Sequence, residues 1–203
     1  MASVQTPLCN ILHIDTPIMQ APIGPATNPI MTAAVSNAGG LGMLAFLRRD
    51  VDDVRRLISE THELTNRPFG ANFILRGLEE TDDRLDACLE AGVSVVSFHW
   101  NEPYEFVDRI HNANTLVMYT VGSSEDAKRA AAAGVDIIVA QGWEAGGHVR
   151  SDVATMALLP TVVDTVFPVP VISAGSIADG RGLAAALMLG ASGVWIGTRF
   201  VAS

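Results

Sequence analysis

Three stretches of this 203-residue chain carry residue types whose spacing could do chemistry. The first, Gln141-Gly142-Trp143-Glu144-Ala145-Gly146-Gly147-His148, joins a polar strand end, a flexible glycine pair and an imidazole. Gly146-Gly147 lets backbone approach a flat ligand closely. His148 supplies the side-chain type that changes charge nearest neutral pH, which suits a general base or a hydrogen-bond donor. The bland alternatives are a solvated loop histidine or one that caps the next helix. Glu144 either orients a histidine or stays a solvated carboxylate. The second stretch is a pair, Ala174-Gly175-Ser176 and Gly197-Thr198. Glycines there leave backbone N–H groups open to an anion, and a helix start near Asp179-Gly180 would add about half a positive charge. Phosphate binding on this reading needs no Lys or Arg, although Arg199 is close by; tight turns alone would use the same glycines. The third is His99-Trp100, where the indole could line an apolar substrate pocket and the imidazole could pair with His148, or both could pack beneath the loop.

Other chemistries find fewer residues to use. No GxSxG marks a serine nucleophile, and Ser173 is read as a ligand hydrogen-bonding group instead. No lysine sits at a strand end to form a Schiff base, and no GxGxxG follows the first strand. His13, His62 and His111 read as surface residues. Cys9 and Cys88 stand far apart with no CxxC, so neither a disulfide framework nor a metal site is indicated.

The elements that must position these residues follow from hydrophobic runs alternating with helical patterns. Strands are expected at Ile18 to Ala21, Gly42 to Ala45, Gly70 to Ile74, Val93 to Phe98, Thr115 to Val121, Ile137 to Ala140, Val169 to Ala174 and Gly193 to Gly197. Helices are expected at Pro29 to Ala38, Val51 to Glu63, Glu79 to Ala91, Pro103 to Asn112, Glu125 to Ala133, Val153 to Val166 and Gly180 to Leu189. Eight parallel strands with helices between them most economically close into a TIM (β/α)8 barrel, whose working groups sit at the C-terminal strand ends. All three stretches fall there. One domain, residues 1–203, is expected, with no linker. A complete barrel of this type typically needs roughly 250 residues, and this chain stops six residues after Gly197. The last helix and C-terminal cover are therefore expected to be lacking, or replaced by the N-terminal segment or a partner subunit.

Composition narrows the setting. The chain is 49% hydrophobic and 17% charged, with a net charge of −9, and it lacks the basic stripe that a nucleic-acid backbone requires. Thr16 to Leu47 and Gly182 to Thr198 are free of charged residues. Prolines interrupt the first, and the second is shorter than the ~20 apolar residues of a span. No signal-peptide pattern opens the chain. The expectation is a soluble cytoplasmic protein in a reducing compartment, without membrane or nucleic-acid partners.

Read together, TPIMQAPI at 16–23, AAVSNAGGLGML at 33–44, FGANFIL at 69–75, VVSFHW at 95–100, QGWEAGGHV at 141–149 and PVPVISAGSIADGRGLAAALMLGASGVWIGTRF at 168–200 resemble the nitronate monooxygenase (2-nitropropane dioxygenase) family of FMN-dependent barrels. Segments of flavin-containing enoyl-acyl-carrier-protein reductases look similar. The resemblance implies noncovalent FMN with its phosphate at Gly175, Ser176, Gly197 and Thr198. It also implies contacts to the ring and ribityl chain from Ala21, Pro22, Ile23 and Asn72, and further contacts from Gln141 and Gly146. His148 aligns with the family's catalytic base. The implied reaction is oxidation of an alkyl nitronate or nitroalkane, with molecular oxygen as second substrate, to a carbonyl compound and nitrite. The alternatives are an enoyl-thioester reductase or a truncated, inactive barrel, and assembly as a homo-oligomer stays open. Ser176 departs from the family, which usually has a second glycine there.

Overall fold

Short runs rich in Val, Ile, Phe and Met become parallel strands because both of their faces are covered, one by the barrel interior and one by helices. The computed structural model describes residues 4–75 and 81–203. Its strands are β1 (Ile18–Gln20), β2 (Gly42–Ala45), β3 (Phe69–Leu75), β4 (Val95–Trp100), β5 (Leu116–Val121), β6 (Ile137–Gln141), β7 (Val171–Ala174) and β8 (Gly193–Ile196). Among the described residues the helices are α1 (Pro7–Leu12), α2 (Pro29–Asn37), α3 (Val51–Leu64), α4 (Asp82–Glu90), α5 (Val107–Asn112), α6 (Ser124–Ala132), α7 (Thr155–Val166), α8 (Gly180–Met188) and the one-turn α9 (Thr198–Val201). Every expected strand is present within two residues of its expected bounds. Of the helix expected from Glu79, residues 79 and 80 lie outside the described residues. The segment expected as a helix from Pro103 divides into a 3-10 turn, Tyr104–Phe106, and α5.

Helix starts are set by side-chain caps. Asn28, Asp50, Ser123 and Asp179 accept from the N–H of Met31, Asp53, Asp126 and Arg181 respectively. The strands pair in the order β1-β8-β7-β6-β5-β4-β3-β2, all parallel. A parallel bridge between Met19 and Leu41 joins the two ends, so the fold is a TIM barrel. Beyond that bridge the side chain of Gln20 continues the join. Its Nε2 donates to the Met43 carbonyl at 3.1 Å and its Oε1 accepts from the Met43 N–H at 3.5 Å. The amide thus occupies the place of a backbone peptide, and Gln20 is fully buried for that reason.

The period of two sorts side chains into two cores. Leu44, Phe73, Phe98, Tyr119, Ile138 and Val194 belong to the outer layer under the helices. Met19, Met43, Val95, Met118, Val139 and Trp195 fill the barrel interior. Leu8, Cys9 and Leu12 of α1 join that interior core, and Thr6 Oγ1 donates to the Ser192 carbonyl at 2.6 Å. The N-terminal segment therefore packs into the barrel interior instead of covering the outer faces of β1 and β8. On that side α8 buries only Ala186, and Met188 is 87% exposed.

Candidate functional site

The inward period continues toward the C-terminal strand ends, where it changes from apolar to polar. Below lie Gly70, Val95, Met118 and Val139; above them lie Asn72 on β3, Ser97 and His99 on β4, Thr120 on β5 and Gln141 on β6, all buried. Asn72 Nδ2 donates to the Ser97 carbonyl and Oγ, each at 3.2 Å. Gln141 Nε2 donates to the His148 carbonyl at 2.9 Å, and the Arg150 N–H donates to Gln141 Oε1 at 3.0 Å. Gln141 thereby pins the loop 142–150 over the mouth.

The other side of the mouth is made of small residues. Among the described residues, chain neighbours apart, an ideal Cβ at Gly197 would meet only the Ala21 Cβ, at 3.7 Å, and one at Gly146 only Thr198 Oγ1, at 3.5 Å. Gly175 has φ +123° and lies beside Ala145, with 3.3 Å from its ideal Cβ to the Ala145 nitrogen. Ala21, Gly146, Gly175, Gly197 and Thr198 therefore converge on one corner. Pro22 and Ile23 follow Ala21 as half-buried residues, whereas Asn72 and Gln141 stand on the polar side. Ser176 adopts φ +53°, the left-handed region, so Gly175 and Ser176 form two consecutive positive-φ residues. Neither the Ser176 nor the Ile177 N–H makes a hydrogen bond within the protein, among the described residues. Such a turn makes a concavity of N–H groups fit for an anion.

Three expectations change. Ser173 alternates with the inward Ile172 and Ala174, so it faces the helix layer, with its Oγ buried and without a hydrogen-bond partner among the described residues. Glu144 faces neither histidine: its Oε2 accepts from the Thr155 N–H and Oγ1, at 2.8 and 2.9 Å, capping α7. Those bonds, the backbone one first, hold its carboxyl below the usual carboxylate range. The start of α8 is already occupied by the Asp179 carboxylate, which accepts from the Arg181 N–H, so the open N–H groups of the corner belong to the turn before it. Gly175 also has a local reason to be glycine, since a Cβ there would lie 2.5 Å from Thr155 Oγ1. Gly197 has none of comparable force, and its missing side chain leaves space.

Two imidazoles border the polar side. The ring centroids of His99 and His148 are 6.2 Å apart, and Trp100 makes a T-shaped contact with each, at 5.0 and 6.0 Å between centroids. His148 is exposed; His99 is 7% exposed. Burial first, then the nearby His148 and Arg150, push the His99 pKa down to about 4, so the ring is neutral at ordinary pH. Arg150 is a site residue that local spacing gives no signal for. Its guanidinium bonds the Trp100 carbonyl, donates to Tyr119 Oη at 2.6 Å and to Asp126 Oδ2 at 3.1 Å, and lies over the Tyr119 ring. Tyr119 Oη itself donates to the Trp100 carbonyl at 2.7 Å, and burial pushes its pKa up to about 12. This network holds Trp100, at φ +76°, in the left-handed region. A cleft of about 520 Å³, lined by Trp100, Asn101, Glu102 and Arg150, opens beside it. A larger cleft of about 570 Å³ lies elsewhere, among carboxylates such as Asp52, Asp83 and Glu90. Among the described residues no group of His, Cys, Asp and Glu could hold a metal ion, and no helix is long and apolar enough to cross a membrane.

Comparison with known proteins places this geometry among relatives. The sequence model described as nitronate monooxygenase matches residues 5–84 and 77–203. A 5-hydroxy-7a-methyl-1-oxo-octahydro-1H-indene-4-carboxyl-CoA dehydrogenase of Mycobacterium tuberculosis is 38% identical over 200 residues, covering 98% of this chain and 56% of its own. A nitronate monooxygenase of Paraburkholderia phytofirmans is 33% identical over 241 residues, covering 96% of this chain and 66% of its own. A structure of FabK from Thermotoga maritima superposes with a TM-score of 0.94 at 42% identity, covering 98% of this chain and 63% of that one. The chain thus spans little more than half the length of the curated relative it matches end to end.

Proposed function

The chain belongs to the nitronate monooxygenase family, and from that premise we propose that it is an FMN-dependent oxidoreductase that oxidises alkyl nitronates or nitroalkanes with molecular oxygen, releasing a carbonyl compound and nitrite. One observation carries the reading: a ring of polar strand-end side chains faces a corner of small residues, where a Cβ at Gly197 would meet, apart from its chain neighbours and among the described residues, only the Ala21 Cβ, at ordinary contact distance. That corner fits the group. Backbone N–H groups of Gly175, Ser176, Gly197 and Thr198, with the Thr198 hydroxyl, would hold the phosphate. Ala21, Pro22, Ile23 and Asn72 would lie along the ring and ribityl chain, and Gln141 and Gly146 would add contacts from the β6 side. When bound, FMN supplies electron acceptance from the substrate and their return to oxygen.

The chain's own residues supply position and proton handling. His148, on a loop pinned by Gln141, takes the α-proton of a neutral nitroalkane, whereas a preformed nitronate has no such proton to lose. Trp100 and His99 wall the space beside it and limit water. Arg150 fixes the strand end that carries both, at its bond to the Trp100 carbonyl.

A second reading has an observation of its own. The CoA-thioester dehydrogenase aligns over 200 positions, almost residue for residue, whereas the nitronate monooxygenase alignment is 241 positions long and must open gaps opposite this 203-residue chain. That favours an acyl thioester, handled with a nicotinamide cofactor, as substrate of the same flavin site. One experiment tests both. After incubation with FMN and desalting, the protein is expected to keep the flavin absorbance bands and then to release nitrite from propane-2-nitronate in air. Flavin retention with NADH or NADPH oxidation driven by an enoyl thioester, and no nitrite, would replace the first reading with the second. A colourless protein would overturn both.

A further inference from the structure

His99 is the group of the mouth that the proton-transfer scheme leaves without a task. It projects inward from β4 above Ser97, nine-tenths buried, in a T-shaped contact with Trp100 and with His148 beyond. Its Nε2 is sealed from solvent and has no hydrogen-bond partner among the described residues. A buried N–H left unpaired forfeits its hydration with nothing in return, and orphaned buried N–H groups are rarer than orphaned acceptors. The single proton of a neutral imidazole therefore belongs on Nδ1. Among the described residues that nitrogen is not sealed, and no hydrogen bond within the protein occupies it. The charged or titratable groups that face the ring are His148 and Arg150, and both disfavour a second proton on it. An N–H donor that stays uncharged is thus held at the mouth, on a rigid strand end, without a protein acceptor.

Resting on the reading that the mouth takes a carbon acid beside a flavin, we propose that His99 is a second catalytic imidazole: its Nδ1–H donates to the oxygen conjugated to the reacting carbon, while His148 takes the proton from that carbon. The oxygen is that of a nitro group in one reading and of a thioester carbonyl in the other, and the chemistry is shared. As the C–H bond breaks, its electron pair moves toward that oxygen. A donor fixed there strengthens its bond as charge accumulates and needs no reorganisation to do so. His99 keeps its own proton throughout. Being neutral, it is too weak an acid to hand that proton to the nascent anion. The 6.2 Å between ring centroids leaves the two imidazoles unbonded to each other and near enough to touch one small molecule from two sides.

The test uses the full chain, labelled with 15N and incubated with FMN. Long-range 15N–1H correlation reads the tautomer of each histidine ring. The His99 signals are identified by their loss in His99→Gln or, should that variant not fold, by elimination with Gln substitutions at the exposed His13, His62, His111 and His148. The probe is isobutyrate, a carboxylate of nearly the same shape as propane-2-nitronate that is not turned over. A neutral Nδ1–H tautomer from about pH 5.5 to 8, with its proton moving downfield as isobutyrate is added, is the expected result. In turnover, His99→Gln, which keeps a donor, should stay within about tenfold of the parent, and His99→Leu should lose about a hundredfold or more. A proton on Nε2, a charged ring at neutral pH, or a His99 signal indifferent to isobutyrate in a flavin-loaded protein would overturn the proposal and leave the oxidoreductase reading standing. The same indifference in a protein that retains no flavin would overturn both.

Discussion

Between β3 and β6 the barrel mouth is lined by Asn72, Ser97, His99, Thr120 and Gln141, whereas from β7 through β8 to β1 it is lined by Ala174, Gly175, Gly197 and Ala21. Asn72 and Gln141 already hold protein atoms, one binding Ser97 and the other the site loop. On the small side, backbone N–H groups and space are what remains to be offered. The difference teaches where each half is sensitive. The polar half should respond to the loss of one particular group even when volume is kept, and the small half to any added atom even when polarity is kept.

That contrast can be broken or sharpened, beginning with the largest effect. His148→Asn should retain flavin and lose about a hundredfold or more in turnover of a neutral nitroalkane, with much less loss on the preformed nitronate. Equal losses in steady-state assays on both would remove the base from the polar half. His99, held at about 4 against an ordinary 6.5, stays neutral in the folded chain while the unfolded chain takes up the proton first. Its contribution is therefore fully present above pH 6.5 and lost as pH falls toward 4, on the order of 2 kcal/mol. Urea melts between those pH values should show this slope in the parent and a flatter one in His99→Gln. Gly197→Val fills the corner and should weaken FMN binding at least about tenfold, or about 1.4 kcal/mol. Its thermal midpoint should stay near that of the parent, because a Cβ there meets only Ala21. Unchanged flavin affinity by fluorescence titration would mean that the small half is merely small. Ser176→Gly should do least. Relief of a left-handed serine, about 1–2 kcal/mol, is offset by the added freedom of glycine in the unfolded chain. Since the N–H is common to both residues, flavin affinity should not move; a clear loss would assign the serine hydroxyl a part in binding.

Much of this arrangement was legible in the linear pattern. Hydrophobic runs place all eight strands, because local chain stiffness and burial act over a few residues. The strand-end rule then nominated His99, Gln141, His148 and Gly197 as neighbours although they lie up to 98 residues apart. What failed was phase and distance. Ser173 is expected to face a ligand, and does not, because a short run such as Val171–Ala174, buried on both faces, does not say which parity points inward. For Glu144 the local pattern offers a histidine or solvent and misses its partner, Thr155, which lies across a loop whose path no local propensity determines. Arg150, Tyr119 and Asp126 carry no shared spacing; they meet because β5 and β6 are neighbours in the barrel. The helix α1, six residues long with Pro7 at its start, is too short for a helical period to register.

Because β1 and β2 are joined by one bridge and by the Gln20 amide, the wall of the barrel has a seam. Elsewhere a strand can peel away only by giving up a ladder of main-chain bonds; here the rotation of a single side chain about its own bonds releases the Met43 end of the join. Thermal breathing should begin at this line and leave the far wall, β4 to β6, shut. In hydrogen–deuterium exchange the amide of Met43 should lose its protection before those of Val96 or Val139.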